Sequence, residues 1–434
     1  MPHILFLFHR DFRLADHNSL EFIKTELLKT YKDAKIVPLF FFTPEQVSTE
    51  NKYRSLNSIQ FMIQSLMELN AEFRKEGTRL YCFYGSNLEC IQHIYTVLQG
   101  DVQALVETKD YTPFAKKREG DFRKWCMMNS IEYHNPEDIY LTNPGTVTNA
   151  TGKPFQKFTP FWETARRRQV EKPRGKISLP WLKRQTAFPK EIHLVGMRKR
   201  LVPAENRNIH VHGGRSEGLR LLDELPKKYD TERDIPSKPT SNLSAHNHFG
   251  TVSIREVYWA GRKTKIEEFI RQLYWRDFYG QIMDAFESLY GEEPFAFMKE
   301  PSTGWKTDRS ILEKWKQGKT GHEFVDAGMR QLNETGYIHN RARLVCASWL
   351  AKDMKIHWRW GEQYFAQKLV DYDVTQNMMN WIWVSSVLPF ASAPFRRLDP
   401  EVQAKQFDAL GVYRATWLGE KKTDVTKEVS VDKR

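Results

Sequence analysis

Four short apolar runs constrain this chain more than any other feature. They occupy residues 4–8, 36–42, 80–83 and 104–106. Between them, residues 19–31, 55–76 and 87–98 carry apolar side chains at helical spacing. An unbroken apolar run suits a strand covered on both faces, and strands alternating with helices imply a parallel sheet flanked by helices. Residues 1–135 are therefore expected to form an α/β domain with a doubly wound parallel sheet. No GxGxxG loop follows the first run. His9-Arg10-Asp11-Phe12-Arg13-Leu14 stands there instead, so an ordinary dinucleotide fingerprint is excluded. Arg10, Asp11 and Arg13 read as an ion-paired loop at the carboxyl end of the first strand.

Residues 136–210 are rich in proline and basic residues and read as a linker with short helices. Amphipathic helices dominate residues 211–418, and 419–434 form a short polar tail. At 434 residues the chain can hold two or three domains. A net charge of +12 favours a polyanionic partner, nucleic acid before membrane. The four cysteines are scattered without metal spacing, which points to a reducing compartment and against an iron–sulfur cluster. No stretch is long and apolar enough for a membrane span, so a soluble intracellular monomer without a membrane partner is expected. His210-Val-His212 and His246-Asn-His248 lack companion ligands, so no metal is expected. Gly318-Lys319-Thr320 resembles the end of a P-loop, but Glu313 stands where that motif needs glycine.

Within residues 320–383 helix signals and tryptophans alternate densely. Thr320 and Glu323 predict a capping box, and Gly336 a turn, with the next helix starting near Ile338. On that helix Ile338, Ala342, Val345 and Trp349 form a packing stripe, beside a separate arc of His339, Asn340, Arg343 and Ala347. Asp373, Asn377 and Trp381 are four apart and share one side of a helix. Upstream, Gln272, Trp275, Arg276 and Tyr279 share about 100° of another helix. An indole beside an amide suits stacking on a nucleobase and reading its edge. Thr240-Ser241-Asn242-Leu243-Ser244 offers hydroxyls and amides for a diphosphate, and equally an ordinary turn. Taken singly, each polar face also suits a solvated helix, and each tryptophan a core position.

In their order along the chain these segments resemble the photolyase/cryptochrome family, over nearly the whole length. The opening FHRDFRLADHNSL, Asp110-Tyr-Thr-Pro-Phe114, Phe158-Thr-Pro-Phe161 and residues 320–383 carry the resemblance. It implies an N-terminal antenna domain and an all-α domain holding FAD in a folded conformation. By position, Tyr229, Thr240, Ser241, Asn242, Leu243, Ser244, Arg276, Asn340, Arg343, Asp371, Asp373 and Asn377 would contact FAD. Arg343 would offset the charge of reduced flavin, and Asn377 would sit near its N5. Trp381, Trp358 and Trp305 would pass electrons from the surface to the flavin.

The partner implied is UV-damaged DNA, with the lesion flipped into a pocket lined by Gln272, Trp275, Asn340, Leu344 and Trp383. Arg233, Arg341 and Gln403 would meet the DNA backbone or its neighbours. The activity implied is light-driven splitting of cyclobutane pyrimidine dimers. A cryptochrome photoreceptor and a (6-4) photolyase are the alternatives. Gln272 stands where dimer-splitting enzymes usually carry Glu, and Asn340 where the (6-4) branch usually carries a second His. The segment after Trp383 and the pair Met378-Met379 also depart from the family pattern. An antenna chromophore, folate or deazaflavin, is left open.

Overall fold

The computed structural model describes residues 1–291, 304–388 and 397–419. Its N-terminal part is a parallel sheet of five strands in the order β3-β2-β1-β4-β5. β1 is His3–Phe8, β2 Lys35–Phe42, β3 Tyr81–Tyr84, β4 Val102–Glu107 and β5 Glu132–His134. The first four coincide with the apolar runs. β5 escapes the sequence because it has three residues and none of them is buried.

Both faces of the sheet are covered, which is why β1 is buried at every position. Alternate residues feed two cores. Leu5, Leu7, Leu39 and Phe41 pack with Ile91 and Phe122 on one side. Ile4, Phe6, Phe8, Phe40 and Phe42 belong to a larger core on the other. That second core does not stop at the sheet. It takes in Phe61 and Leu66 of the helix Leu56–Lys75, then Leu243, Phe249, Phe269 and Leu273 of the helical part. Residues 176–182 return to the sheet as a strap, bonded to Leu14 and Ile36 through backbone groups, with Trp181 buried. The intervening segment holds the short helices Phe158–Ala165 and Leu194–Leu201.

The helical part forms its own core around Trp315, Val345, Trp358, Phe365 and Trp381. The chain thus combines a doubly wound α/β domain with an all-helical one. The Thr320–Glu323 capping box does not form. The helix Glu323–Thr335 begins after His322, which makes no side-chain cap. Asp326 takes the Thr320 N–H and hydroxyl, each at 2.7 Å, and the Gly321 N–H at 3.1 Å. A carboxylate with two oxygens outcompetes the threonine hydroxyl, and Glu323 turns outward to Arg414 at 2.9 Å. The next helix, Asn340–Ser348, starts two residues later than expected, because the His339 ring nitrogen Nδ1 accepts from the Arg341 N–H. Its stripe of Ile338, Ala342, Val345 and Trp349 is buried as expected.

Candidate functional site

Three helices and a segment of shorter helices and loop enclose a cavity of about 500 Å³. The helices are Glu267–Ala285, Asn340–Ser348 and Val374–Ser385, and residues 229–248 close the fourth side. Gln272, Trp275 and Arg276 reach it from the first, Asn340, Arg341, Arg343 and Leu344 from the second, and Asn377 and Trp383 from the third. Tyr229, Arg233, Ser241 and Ser244 come from the segment, and Asp371 and Asp373 from the turn before the third helix. Residues over 150 positions apart thus meet on one wall.

Asp373 anchors that wall. It is the N-cap of the Val374–Ser385 helix and accepts the Gln376 N–H at 3.1 Å. Arg10, from the loop after β1, ion-pairs with Asp373 and Asp110, and His248 Nδ1 lies 3.1 Å from the Asp373 carboxylate. Burial would raise the Asp373 carboxyl, but the Arg10 guanidinium and His248 outweigh it and hold it well below the usual carboxylate range. The loop reads as expected from its residues: Arg13 pairs with Asp138, and Asp11 with His17 at 3.1 Å. One of its charges crosses into the helical part.

Asn377 faces the cavity with a fixed orientation. Its Nδ2 donates to Glu362 Oε1 at 3.0 Å and to the Glu362 carbonyl at 3.2 Å. A carbonyl can only accept, so the amide cannot flip without losing a bond. Its Oδ1 is buried and has no partner. Arg343 lies 3.3 Å from Asp371. Arg276 donates to the Ile139 carbonyl at 2.7 Å and the Asn247 carbonyl at 3.3 Å, while its guanidinium lies over Tyr140. An orphan acceptor, two serine hydroxyls and a guanidinium hydrogen-bonded to carbonyl oxygens fit a polar, anionic cofactor with an N–H to offer.

Glu362 is fully buried, and burial pushes its carboxyl up to about 7. A raised acid costs the fold nothing below the unfolded value, then progressively more as pH climbs through the folded one. Glu362→Gln should therefore stabilise the protein at pH 8 by on the order of 3 kcal/mol, fading to nothing near pH 4.5. Urea unfolding of the flavin-loaded protein at both pH values measures this. A difference that does not change with pH contradicts it.

Not every expected residue reaches the cavity. Thr240 Oγ1 bonds to Asn242 Oδ1 at 3.1 Å, His210 shares that same oxygen at 3.0 Å, and Leu243 is buried in the larger core. Of that five-residue stretch only Ser241 and Ser244 line the wall. The local turn, with Asn242 at φ 53°, spends the other side chains on neighbours. Gln403 is buried behind Arg341 and accepts from it at 3.3 Å. At the rim Arg341 pairs with Asp234 at 2.9 Å and Arg233 with Glu268 at 3.4 Å. Trp275 stacks on Phe158 with ring centroids 3.7 Å apart, which gives the Phe-Thr-Pro-Phe element a physical role.

Sequence reasoning missed Asn247, His248, Gln376 and Asn380. Asn380 was findable, three residues after Asn377 on the same helix face. His248 reads in the sequence only as half of a His-x-His pair, which suggests a metal ligand. Among the described residues no cluster of His, Cys, Asp or Glu could hold a metal ion, and no helix is long and apolar enough to cross a membrane.

Behind the cavity lie the tryptophans. Trp381 is one turn beyond Asn377 and packs against Gly361, where a Cβ would come within 2.2 Å of its ring. Trp358, one turn before Gly361, is fully buried. His357 bridges Trp358 and the half-buried Trp305, with centroids 6.2 and 5.2 Å away.

A second cavity of about 500 Å³ lies beyond the carboxyl ends of β1 and β2. Phe8, Phe40, Phe41, Phe249, Tyr372 and Met378 line it, and His248 borders both cavities. The carboxyl edge of a parallel sheet is where α/β folds receive ligands.

Residues 4–176 match the family model described as DNA photolyase, and residues 269–432 that described as FAD binding domain of DNA photolyase. A deoxyribodipyrimidine photo-lyase of Alkalihalophilus pseudofirmus is 30% identical over 95% of this chain and 86% of its own length. An archaeal photolyase structure from Sulfolobus tokodaii, described as holding two FAD molecules, superposes with a TM-score of 0.82 at 33% identity. It covers 98% of this chain and 91% of its own. A Synechocystis cryptochrome superposes at 0.85 with 24% identity, covering 97% of this chain and 89% of its own, and so shares the fold.

Proposed function

The chain belongs to the DNA photolyase family, and from that premise we propose that it is a light-driven repair enzyme that splits cyclobutane pyrimidine dimers in UV-damaged DNA. It carries the family's FAD-binding domain. The observation that carries the proposal is one cavity lined by two kinds of group. The orphan Asn377 Oδ1, Asp371, Asp373 and Arg343 are polar partners for a cofactor. Trp275, Trp383 and the basic pair Arg233 and Arg341 suit a base and its phosphates.

FAD bound there in reduced form supplies a one-electron donor driven by light. The chain's own groups do the rest. Ser241, Ser244 and Arg276 would hold the diphosphate end, with Tyr229 beside it. Arg343 would offset negative charge on the ring, and the unpartnered Asn377 Oδ1 would accept a hydrogen bond from N5. Trp275 and Trp383 stack on the flipped lesion, while Gln272, Asn340 and Leu344 contact its edge. A dimer stacks poorly, so flipping it costs less than flipping an intact base. Arg233 and Arg341 meet phosphates after releasing Glu268 and Asp234. Trp305, Trp358 and Trp381 would relay electrons inward. The aromatic cavity beside β1 and β2 suits a planar antenna chromophore that shares the His248 wall. In this reading residues 1–135 are the antenna domain, 136–210 the linker and 211–418 the catalytic domain.

A second reading is a photoreceptor that does not repair. It is favoured by the rim arginines, which are both already ion-paired, and by Gln272 standing where a carboxylate would be. One experiment separates these readings. The reduced protein is illuminated with blue light together with oligonucleotides carrying either a cyclobutane dimer or a (6-4) product. Restored thymines from the first alone are expected. Restoration of the second alone assigns the (6-4) activity, and flavin-loaded protein that restores neither is a photoreceptor.

A further inference from the structure

Trp381 has a second indole neighbour, Trp315, that lies off the route through Trp358 to Trp305. Its ring contacts are Phe365 at 5.1 Å and Trp315 at 6.1 Å, both edge-to-face. Trp315 is fully buried and stacks on Phe365 at 5.6 Å with 10° between planes. The three rings form a continuous aromatic contact. We propose that a hole placed on Trp381 divides, and that Trp315 is a second tryptophan that gives it an electron and retains the charge. The proposal rests on the flavin-relay reading above, in which the light-excited oxidised isoalloxazine is the oxidant that first empties Trp381.

Electrostatics favours the side route. The Arg359 guanidinium sits 4.5 Å from the Trp358 ring centroid. A cation on an indole face stabilises the neutral ring and penalises positive charge in it, the more so in a buried site. The Trp358 N–H is buried without a partner. Trp315 has the opposite surroundings. Its N–H donates to the Cys346 carbonyl at 3.0 Å, which directs negative dipole density at a developing cation. The ammonium of neighbouring Lys316 is paired with Glu313 at 2.8 Å.

The step balances simply. Trp315 loses one electron and becomes a radical cation, and Trp381 returns to the neutral closed-shell indole. No proton moves, because a peptide carbonyl is not a base. The hole also stops there. Tyr364 is the next ring, 5.8 Å away, but its hydroxyl donates to Asn333 Oδ1 at 2.6 Å and faces no base. Burial raises that phenol to about 12, so it does not shed its proton ahead of the hole. Trp315 is then a reservoir from which charge can only recombine, in competition with the productive path through Trp358.

Flash photolysis of the FAD-loaded protein, reading tryptophan radical-cation absorption, tests this. Trp358→Phe should leave a radical signal that outlives direct recombination, and adding Trp315→Phe should remove it. Identical decays in the single and double variants overturn the fork. If the unaltered protein forms no tryptophan radical, the relay reading itself fails. Trp315→Phe alone provides a check in an otherwise intact chain. The slow signal from Trp305 should grow once the competing trap is gone, and an unchanged amplitude also overturns the proposal.

Discussion

Trp381→Phe is expected to abolish photoreduction of the oxidised flavin while leaving repair by chemically prereduced enzyme intact. In the proposed relay Trp381 is the point where both indole routes begin, so the substitution would cut them together. Phenylalanine fills most of the same space beside Gly361, but it is too hard to oxidise to hold a hole. The bound flavin should show its ordinary absorption and stay oxidised under blue light with an external thiol present. Repair started with dithionite-reduced protein should proceed at the unaltered rate. Photoreduction at the original rate removes Trp381 from the electron path. Loss of both activities instead marks it as a packing residue whose replacement has damaged the cavity.

Arg10→Ala should be strongly destabilising. Asp373 and Asp110 are each less than 10% exposed, and both lean on this one guanidinium. Removing it strands buried carboxylates, which typically costs about 3–5 kcal/mol. The loss should also reach the cofactor, because Asp373 caps the helix that carries Asn377 and Trp381. Urea unfolding should show the lowered stability, and gel filtration should show FAD separating from the protein. Arg10→Lys keeps the charge without the fork and should recover part of both. Unchanged stability and full FAD retention in Arg10→Ala would show that His248 alone can hold Asp373.

The sheet was legible because β1 to β4 are apolar at almost every position, a pattern that depends only on local sequence. The Asp373–Asn377–Trp381 face was legible for a related reason, since helical spacing settles which side chains share a side. What escaped depends on contacts between distant segments. Arg10 and Asp373 are 363 residues apart, and nothing in either stretch names the other. Glu362 looks like one more polar residue on an amphipathic helix, yet the fold buries it entirely. Thr240, Asn242 and Leu243 show the converse. A run of hydroxyls and amides advertises a binding turn, but turn geometry decides which of them point outward, and here only two do. The segment after Trp383, which the family resemblance leads one to expect at the lesion, lies partly in residues 389–396, outside the described residues.

The larger core has a further consequence for how the molecule can be divided. Phe6 and Phe8 of the first strand and Phe249, Phe269 and Leu273 of the helical part belong to one continuous apolar cluster. Cutting the chain between the sheet and the helices would therefore expose an oily face on each piece. Neither half is a cassette that could be lent to another protein without its partner. A mutation in the strands of the sheet half should be felt as a loss of cohesion in the helical half, whether or not it lies near a cavity.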